Sequence, residues 1–259
     1  MKLKDTVHFD WYKKLFLVVI LLLCFIVSSS ATDADITEFF SNSKQISNFL
    51  GKFLKPDFSY IPQIIDPLIM TLKMSVFGTA LGVVFAVPIA FLGTEVVTNN
   101  KVLTACIRFV LNIIRTIPNL LLAALAVAVI GIGEFTGVVT IAIFTFGIVA
   151  QLVYEAIETI DFSPIESCVA VGANRIQIAF WAILPQVISQ IAGYIFYALE
   201  INVRASTVLG YVGAGGIGVM LNSSLALLQY GRVSVIILMI LITVTIVDFI
   251  SESIRRRLV

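Results

Sequence analysis

Six long apolar runs constrain this chain more than any other feature. A helix needs about 20 mostly apolar residues to cross a bilayer, and backbone inside lipid must satisfy its own hydrogen bonds. The runs are Leu15–Val27 (continued by Ser28–Ala31), Leu68–Thr94, Ile117–Gly133, Phe135–Tyr154, Ile176–Leu199 and Val233–Ile250. Trp11 and Tyr12 precede the first as interface aromatics. Asp66 and Pro67 are expected to cap and open the second, where Lys73 is the only charge and snorkels to the outer interface. The chain is 59% hydrophobic and 13% charged, against about half and a quarter in soluble domains. The expected class is all-α integral membrane, with six transmembrane helices.

Ala205–Gly231 is also uncharged and long enough to cross. Gly210, Gly213, Gly215, Gly216 and Gly218 would each cost a helix about 1 kcal/mol relative to alanine. A seventh crossing would also put Arg255, Arg256 and Arg257 outside, against the positive-inside rule. The segment is therefore expected to fold back, buried against protein. With six crossings and both termini inside, Lys2, Lys4, Lys13, Lys14, Lys101, Arg108, Arg115, Arg175 and the three terminal arginines lie on the inner side. Lys44, Lys52, Lys55, Arg204 and Arg232 lie outside, so the bias is eleven to five. The first run, with basic residues before it and Ser29-Ser30-Ala31 after it, also fits a signal peptide; the later crossings keep their orientation either way.

A net charge of +1 argues against a nucleic-acid role. Cys24, Cys106 and Cys168 lack metal spacing and read as small apolar residues, and His8 is the single histidine. No metal site is expected. The organisation expected is an N-terminal tail, first helix and external segment (1–65), a compact domain (66–250) and a short tail (251–259). Within 32–66, Phe39, Phe40, Ile46, Phe49, Leu50, Phe53 and Leu54 recur every three or four residues. They suggest a short amphipathic helix on the outer surface, with a solvated linker as the alternative. Asn99–Asn112 has the same pattern and suggests an inner-surface helix leading into Arg115-Thr-Ile-Pro-Asn119.

The one sizeable polar stretch of the second half lies between the fourth and fifth runs. In Asp161-Phe-Ser-Pro-Ile-Glu166, Ser163 is placed to cap a helix, Pro164 to open it and Glu166 to complete a capping box. Gly172 is placed to end that helix in a left-handed conformation, and Asn174 to cap the next. Pro185 falls inside that next helix, where its missing N–H favours a kink. An ordinary inner loop would use the same devices. The stretch resembles the EAA motif of ABC importer permeases, Glu-Ala-Ala, three residues, Gly, nine residues, Ile, one residue, Leu-Pro. Glu166, Gly172, Leu184 and Pro185 match at that spacing, while Ser167, Cys168 and Ala182 depart from it with small or apolar residues. The resemblance implies that this short helix docks in a cleft of an ATPase subunit.

Gly213-Ala-Gly-Gly-Ile-Gly218 satisfies G-x-G-x-x-G literally. A dinucleotide site needs a preceding strand and an acidic residue about 20 positions on. Here the segment follows a membrane run and position 238 is Leu, so that reading fails. There is no G-x-x-x-x-G-K-[ST] sequence either. The wider string, Glu200-Ile-Asn-Val-Arg-Ala-Ser-Thr-Val-Leu-Gly-Tyr-Val-Gly-Ala-Gly-Gly-Ile-Gly218, is similar to phosphonate-type ABC permeases over about residues 66–250; methionine permeases share a looser version. That resemblance implies a MetI-like ABC permease core of five helices behind one N-terminal helix, in a bacterial cytoplasmic membrane. It further implies an ABC ATPase dimer carrying ATP and Mg, an extracytoplasmic binding protein, a second permease copy or paralogue, and no cofactor or catalysis in this chain.

Glu200 and Arg204 are one turn apart and expected to pair, because an unpaired charge near lipid is expensive. One reading has them fix the end of the fifth helix. The other has Arg204, with Asn202 and Thr207, face the pathway and receive an anion such as a phosphonate. Gly213, Gly215 and Gly216 are candidate gate residues, with simple helix packing as the alternative. Gln151 and Glu155 are expected at the inner end of the fourth helix, and Asp248 at the inner rim beside Arg255–Arg257. The competing functions are an importer of methionine or another small solute, a secondary transporter, a membrane enzyme and a scaffold. The enzyme would require a polar catalytic cluster, which the sequence does not present.

Overall fold

The computed structural model describes residues 11–31 and 42–258, which fall into two compact units parting between Lys52 and Phe53. In the first unit, helix α1 (Trp11–Ala31) is apolar all round from Leu15 to Val27, and none of its residues is buried. Its 21 residues rise about 31 Å, the thickness of a hydrocarbon core. Helix α2 (Ser43–Phe53) is amphipathic, as the spacing predicts. The expected face residues Phe39 and Phe40 lie outside the described residues, as does His8.

The second unit begins with α3, Ile61–Leu92. It does not start at Asp66–Pro67 as the sequence suggests. Pro62 takes the opening position, and Pro67 lies inside the helix. Past Pro67 a ladder of hydroxyls runs along the helix: Thr71 Oγ1 donates to the Pro67 carbonyl (2.9 Å), Ser75 to Thr71 (2.8 Å) and Thr79 to Ser75 (2.6 Å). The missing N–H of Pro67 costs only the Gln63 carbonyl its helical donor, in the first turn of the helix.

After a one-turn α4 (Glu95–Thr98) comes α5 (Lys101–Thr116), capped by the Asn100 side chain. It is the amphipathic helix expected around 99–112. Arg115-Thr-Ile-Pro-Asn119 is a corner, and α6 (Asn119–Ile130) leaves it at 93° to α5. Pro118 bars a straight continuation. The expected third crossing is thus a 12-residue helix, rising about 18 Å, behind a bent partner.

Then follow α7 (Glu134–Glu158), α8 (Ser163–Ala170) and α9 (Arg175–Ile178). A π-helical turn over Ala179–Ile183 joins α9 to α10 (Leu184–Leu209). Helix α11 (Ile217–Ala226) and α12 (Tyr230–Leu258) end the chain. With 10 residues, α11 is about 15 Å long and cannot cross. Among the described residues five helices are long and apolar enough to span a membrane, or six if the bent α5–α6 pair is one span.

The second unit is built around α3 and α7, which run parallel at close range. A Cβ on Gly78 would lie 2.7 Å from Ile141, and one on Gly82 would lie 2.6 Å from the Ala142 carbonyl. Small residues let membrane helices approach this closely where lipid offers no hydrophobic drive for association. Toward the α8 end, Ala86, Ala90, Val149, Val153, Ile157, Ile183 and Val187 form one core cluster joining α3, α7 and α10. Toward the opposite end, Met74, Ala123, Ile141, Leu209 and Ala214 form a second.

Candidate functional site

At the α8 turn the predicted capping box is absent. Phe162 stands at the N-cap without a side-chain bond, and the Ser163 N–H is taken by Asp161 Oδ1 (3.1 Å). Asp161 lies two residues upstream and reaches that donor first, so Glu166 is left exposed at the head of α8. The other end of α8 follows expectation. Gly172 has φ +81°; its N–H bonds the Val169 carbonyl and the Ala173 N–H bonds Cys168 (both 3.0 Å), a Schellman closure. Asn174 caps α9 and forms a reciprocal box with Gln177.

Two contacts that sequence reading missed tie this turn to the helices. Gln186 Oε1 accepts from the Asp161 N–H, and its Nε2 donates to the Asp161 carbonyl, both at 3.2 Å. Arg175 Nη1 donates to the Thr98 carbonyl at 2.6 Å. Ile165 and Cys168 pack on the core cluster together with Leu184. Phe162, Val169 and Val171 remain exposed. Pro185 follows the π turn, which absorbs the disturbance that a proline brings to the helix ladder. The result is a short helix and turn braced on one side and open on its outer face.

At the opposite end, Gly213, Gly215 and Gly216 all have positive φ (83°, 87° and 73°). Their backbone turns α10 back into α11 against α3 and the α6–α7 loop. The Gly133 N–H bonds the Gly213 carbonyl (3.0 Å), and the Ile217 N–H bonds Thr71 Oγ1 (2.8 Å). A Cβ on Gly216 would lie 2.5 Å from that same oxygen.

Along α10 the structure separates residues that the sequence groups. Asn202 is buried, its Nδ2 donating to Thr79 Oγ1 (2.8 Å) and Thr145 Oγ1 (2.7 Å) near the middle of α3 and α7. Ser206 and Ser75 meet in the same seam (3.3 Å). Asn202→Ala should lower stability by about 2 kcal/mol, from two interhelical bonds and a small cavity, read as a lower melting temperature in detergent.

Arg204 points about 200° round the helix from Asn202. It donates to Glu200 (2.5 Å) and Asp248 (2.8 Å), and Arg255 donates to the second Glu200 oxygen (3.1 Å). This corrects the assignment of Arg204 to one side of the membrane and of Asp248 and Arg255 to the other, since all three belong to one network. The physical reason is helix length. Because α10 continues to Leu209, Glu200 and Arg204 lie inside the span rather than at its rim. Thr207 bonds back to the Arg204 carbonyl (2.7 Å).

Tyr197, Glu200 and Arg204, at i, i+3 and i+7, share one face. Tyr197 lines a cavity of about 220 Å³ with Arg115, Ile148, Gln151, Leu152 and Glu155. Arg115 bonds Gln151 Oε1, and Gln151 Nε2 donates to Glu155 (2.5 Å). Closer to the α8 end, Arg108 pairs with Glu158, donates to the Gly93 carbonyl and lies over the Tyr154 ring. Among the described residues no group of three or more His, Cys, Asp or Glu is arranged to hold a metal.

Residues 78–259 match the family described as binding-protein-dependent transport system inner membrane component. The chain is 39% identical over 238 residues to a phosphite transport system permease protein of Stutzerimonas stutzeri, covering 92% of this chain and 85% of that protein. It is 34% identical over 231 residues to a phosphate-import permease protein of Mycolicibacterium smegmatis, covering 89% of this chain and 43% of that one. An inward-facing methionine ABC transporter structure superposes with a TM-score of 0.67 at 22% identity, over 78% of this chain and 99% of its own. At that identity the likeness speaks for the fold alone.

Proposed function

We propose, because this chain belongs to the family of binding-protein-dependent transport system inner membrane components, that it is the permease subunit of an ATP-driven ABC importer whose cargo is a phosphorus oxyanion. The observation that carries the cargo is the likeness over nearly the whole chain to a permease named for phosphite. The charge on α10 supports it. Arg204 lies inside the span and half exposed, neutralised by Glu200 and Asp248, and a guanidinium fork suits a tetrahedral oxyanion.

In this reading two permease copies, or a copy and a paralogue, turn their Tyr197–Arg204 faces toward a shared path. The α8 end and both termini lie in the cytoplasm of a bacterial cell, and the chain crosses its cytoplasmic membrane several times. An ABC ATPase dimer, which holds ATP and Mg²⁺, grips α8 between Glu166 and Gly172. The Gln186 clamp and the Leu184–Pro185 joint pass its movement to α10. An extracytoplasmic binding protein delivers cargo at the Gly213–Gly216 end. The cargo crosses without a bond being made or broken, so this chain carries out no catalysis.

The test is ATP hydrolysis in proteoliposomes holding this chain, its ATPase and its binding protein, with phosphite, phosphate, a phosphonate and methionine offered in turn. Stimulation by a phosphorus oxyanion is expected. Stimulation by methionine alone would keep the importer and overturn the cargo. In the same system Arg204→Gln should lower oxyanion uptake roughly tenfold, the scale of one charge-assisted contact. Unchanged uptake would remove Arg204 from the path.

A further inference from the structure

We propose that the cavity between α5, α7 and α10 is a second anion station, separate from Arg204 and selective for oxyanions that still carry a proton. This rests on the reading of the chain as a phosphorus-oxyanion importer. The cavity, about 220 Å³, is lined by one cation, one carboxylate, one amide and one phenol, Arg115, Glu155, Gln151 and Tyr197. That volume and donor set suit a small tetrahedral anion.

The charges differ from those at Arg204 in a way that matters. Arg204 is held by two carboxylates. Arg115 makes no ion pair among the described residues, and its partner is the neutral amide of Gln151. A guanidinium has five N–H donors, so most of its fork remains available. Gln151 joins the ends of the site, accepting from Arg115 and donating to Glu155. That leaves the second Glu155 oxygen as an acceptor. A fully deprotonated anion such as sulfate would meet Arg115 favourably and Glu155 unfavourably. A monoprotonated phosphite, phosphate or phosphonate can give its oxygens to Arg115 and its O–H to Glu155. The acid and base together therefore read protonation state, a property that size and charge sign do not report.

Placement supports a station on the same route. Tyr197 lies on the Arg204 face of α10, seven residues away and so about 10 Å nearer the α8 end. Arg115 occupies the α5–α6 corner, held there by Pro118 and by the packing of α5 on α7. Cargo leaving Arg204 would reach this site next on its way toward the ATPase end.

The test is equilibrium dialysis of radiolabelled phosphite against the purified permease–ATPase complex, without binding protein or nucleotide. The wild-type complex should show a saturable site that persists in Arg204→Gln. Arg115→Gln should weaken it roughly tenfold, with partial recovery in Arg115→Lys. Glu155→Gln should admit sulfate as a competitor, which the wild type excludes; a purely structural role for Glu155 would not move that selectivity. Elution of an intact permease–ATPase complex on size-exclusion chromatography reports that each variant is folded and assembled. Wild-type binding that Arg115→Gln leaves unaltered, or absence of wild-type binding, would overturn the station. If phosphite still drives ATP hydrolysis in the proteoliposomes, the importer reading survives that failure; if only methionine does, the importer's cargo assignment fails as well.

Discussion

Gly172→Val is expected to abolish ATP-driven uptake while leaving membrane insertion and assembly intact. The φ of +81° at Gly172 is a conformation that costs an ordinary L-residue roughly 1–2 kcal/mol, and a β-branched one more. Nothing lies within 4 Å of a Cβ there, so the cost is in the backbone and not in a clash. The strain is relieved by opening the Schellman closure, which frees the Cys168 and Val169 carbonyls and lets α8 swing relative to Asn174 and α9. Ile165, Cys168 and Ala173 are only partly buried against the core cluster, whose fully buried members all lie outside this turn. A lever misplaced by about 1.4 kcal/mol loses roughly tenfold of its productive population, and a larger misplacement loses correspondingly more. Uptake and cargo-stimulated ATP hydrolysis should therefore fall together, with normal amounts of protein in the membrane. Gly172→Asn, which tolerates the left-handed region, should retain much of the activity. If valine leaves uptake unchanged, α8 does not couple ATP hydrolysis to transport.

The second large effect concerns folding. Gly218→Val should prevent accumulation of folded protein, because a Cβ at Gly218 would lie 2.0 Å from the Thr207 carbonyl oxygen and 2.9 Å from the Gly210 Cα. Both obstacles are backbone, which cannot swing aside as the tip of a flexible side chain does. Overpacking typically costs 1–3 kcal/mol; separating α11 from the end of α10 should exceed that and take up much of a marginal stability of about 5–15 kcal/mol. The measure is the monodisperse fraction after detergent extraction, with the melting temperature of whatever remains. Gly193→Ala is the control. It lies within α10 with nothing inside 4 Å of its Cβ, so it should be neutral or slightly stabilising. Equal loss from both substitutions would argue against the close approach of α10 and α11.

Much of the fold was legible because a bilayer simplifies the physics. A run such as Phe135–Tyr154 has one economical conformation in lipid, and the observed α7 contains it. The left-handed Gly172, the Asn174 cap and the amphipathic α5 were also readable, since each rests on neighbours within one helical turn. Errors arose where two local solutions competed. Asp66–Pro67 looked like a helix start, but Pro62 opened the helix earlier and left Pro67 inside it. Ser163 looked like a cap, but Asp161 reached the amide first.

By itself, the sequence determined the class of fold, the position of most spans, the α8 turn and the glycine turn. These follow from the free energy of hiding backbone from lipid and from dihedral limits on single residues. Only tertiary structure decided which face of α10 is locked and which is open. It placed Asn202 against Thr79 and Thr145, and joined Arg204, Glu200, Asp248 and Arg255 into one network. It also brought Arg115 and Glu155 to one cavity with Tyr197. Apart from Glu200 and Arg204, one turn apart and legible as a pair, the bonded partners lie 44 to 123 residues apart, and their meeting depends on the length and tilt of neighbouring helices, which no local pattern encodes.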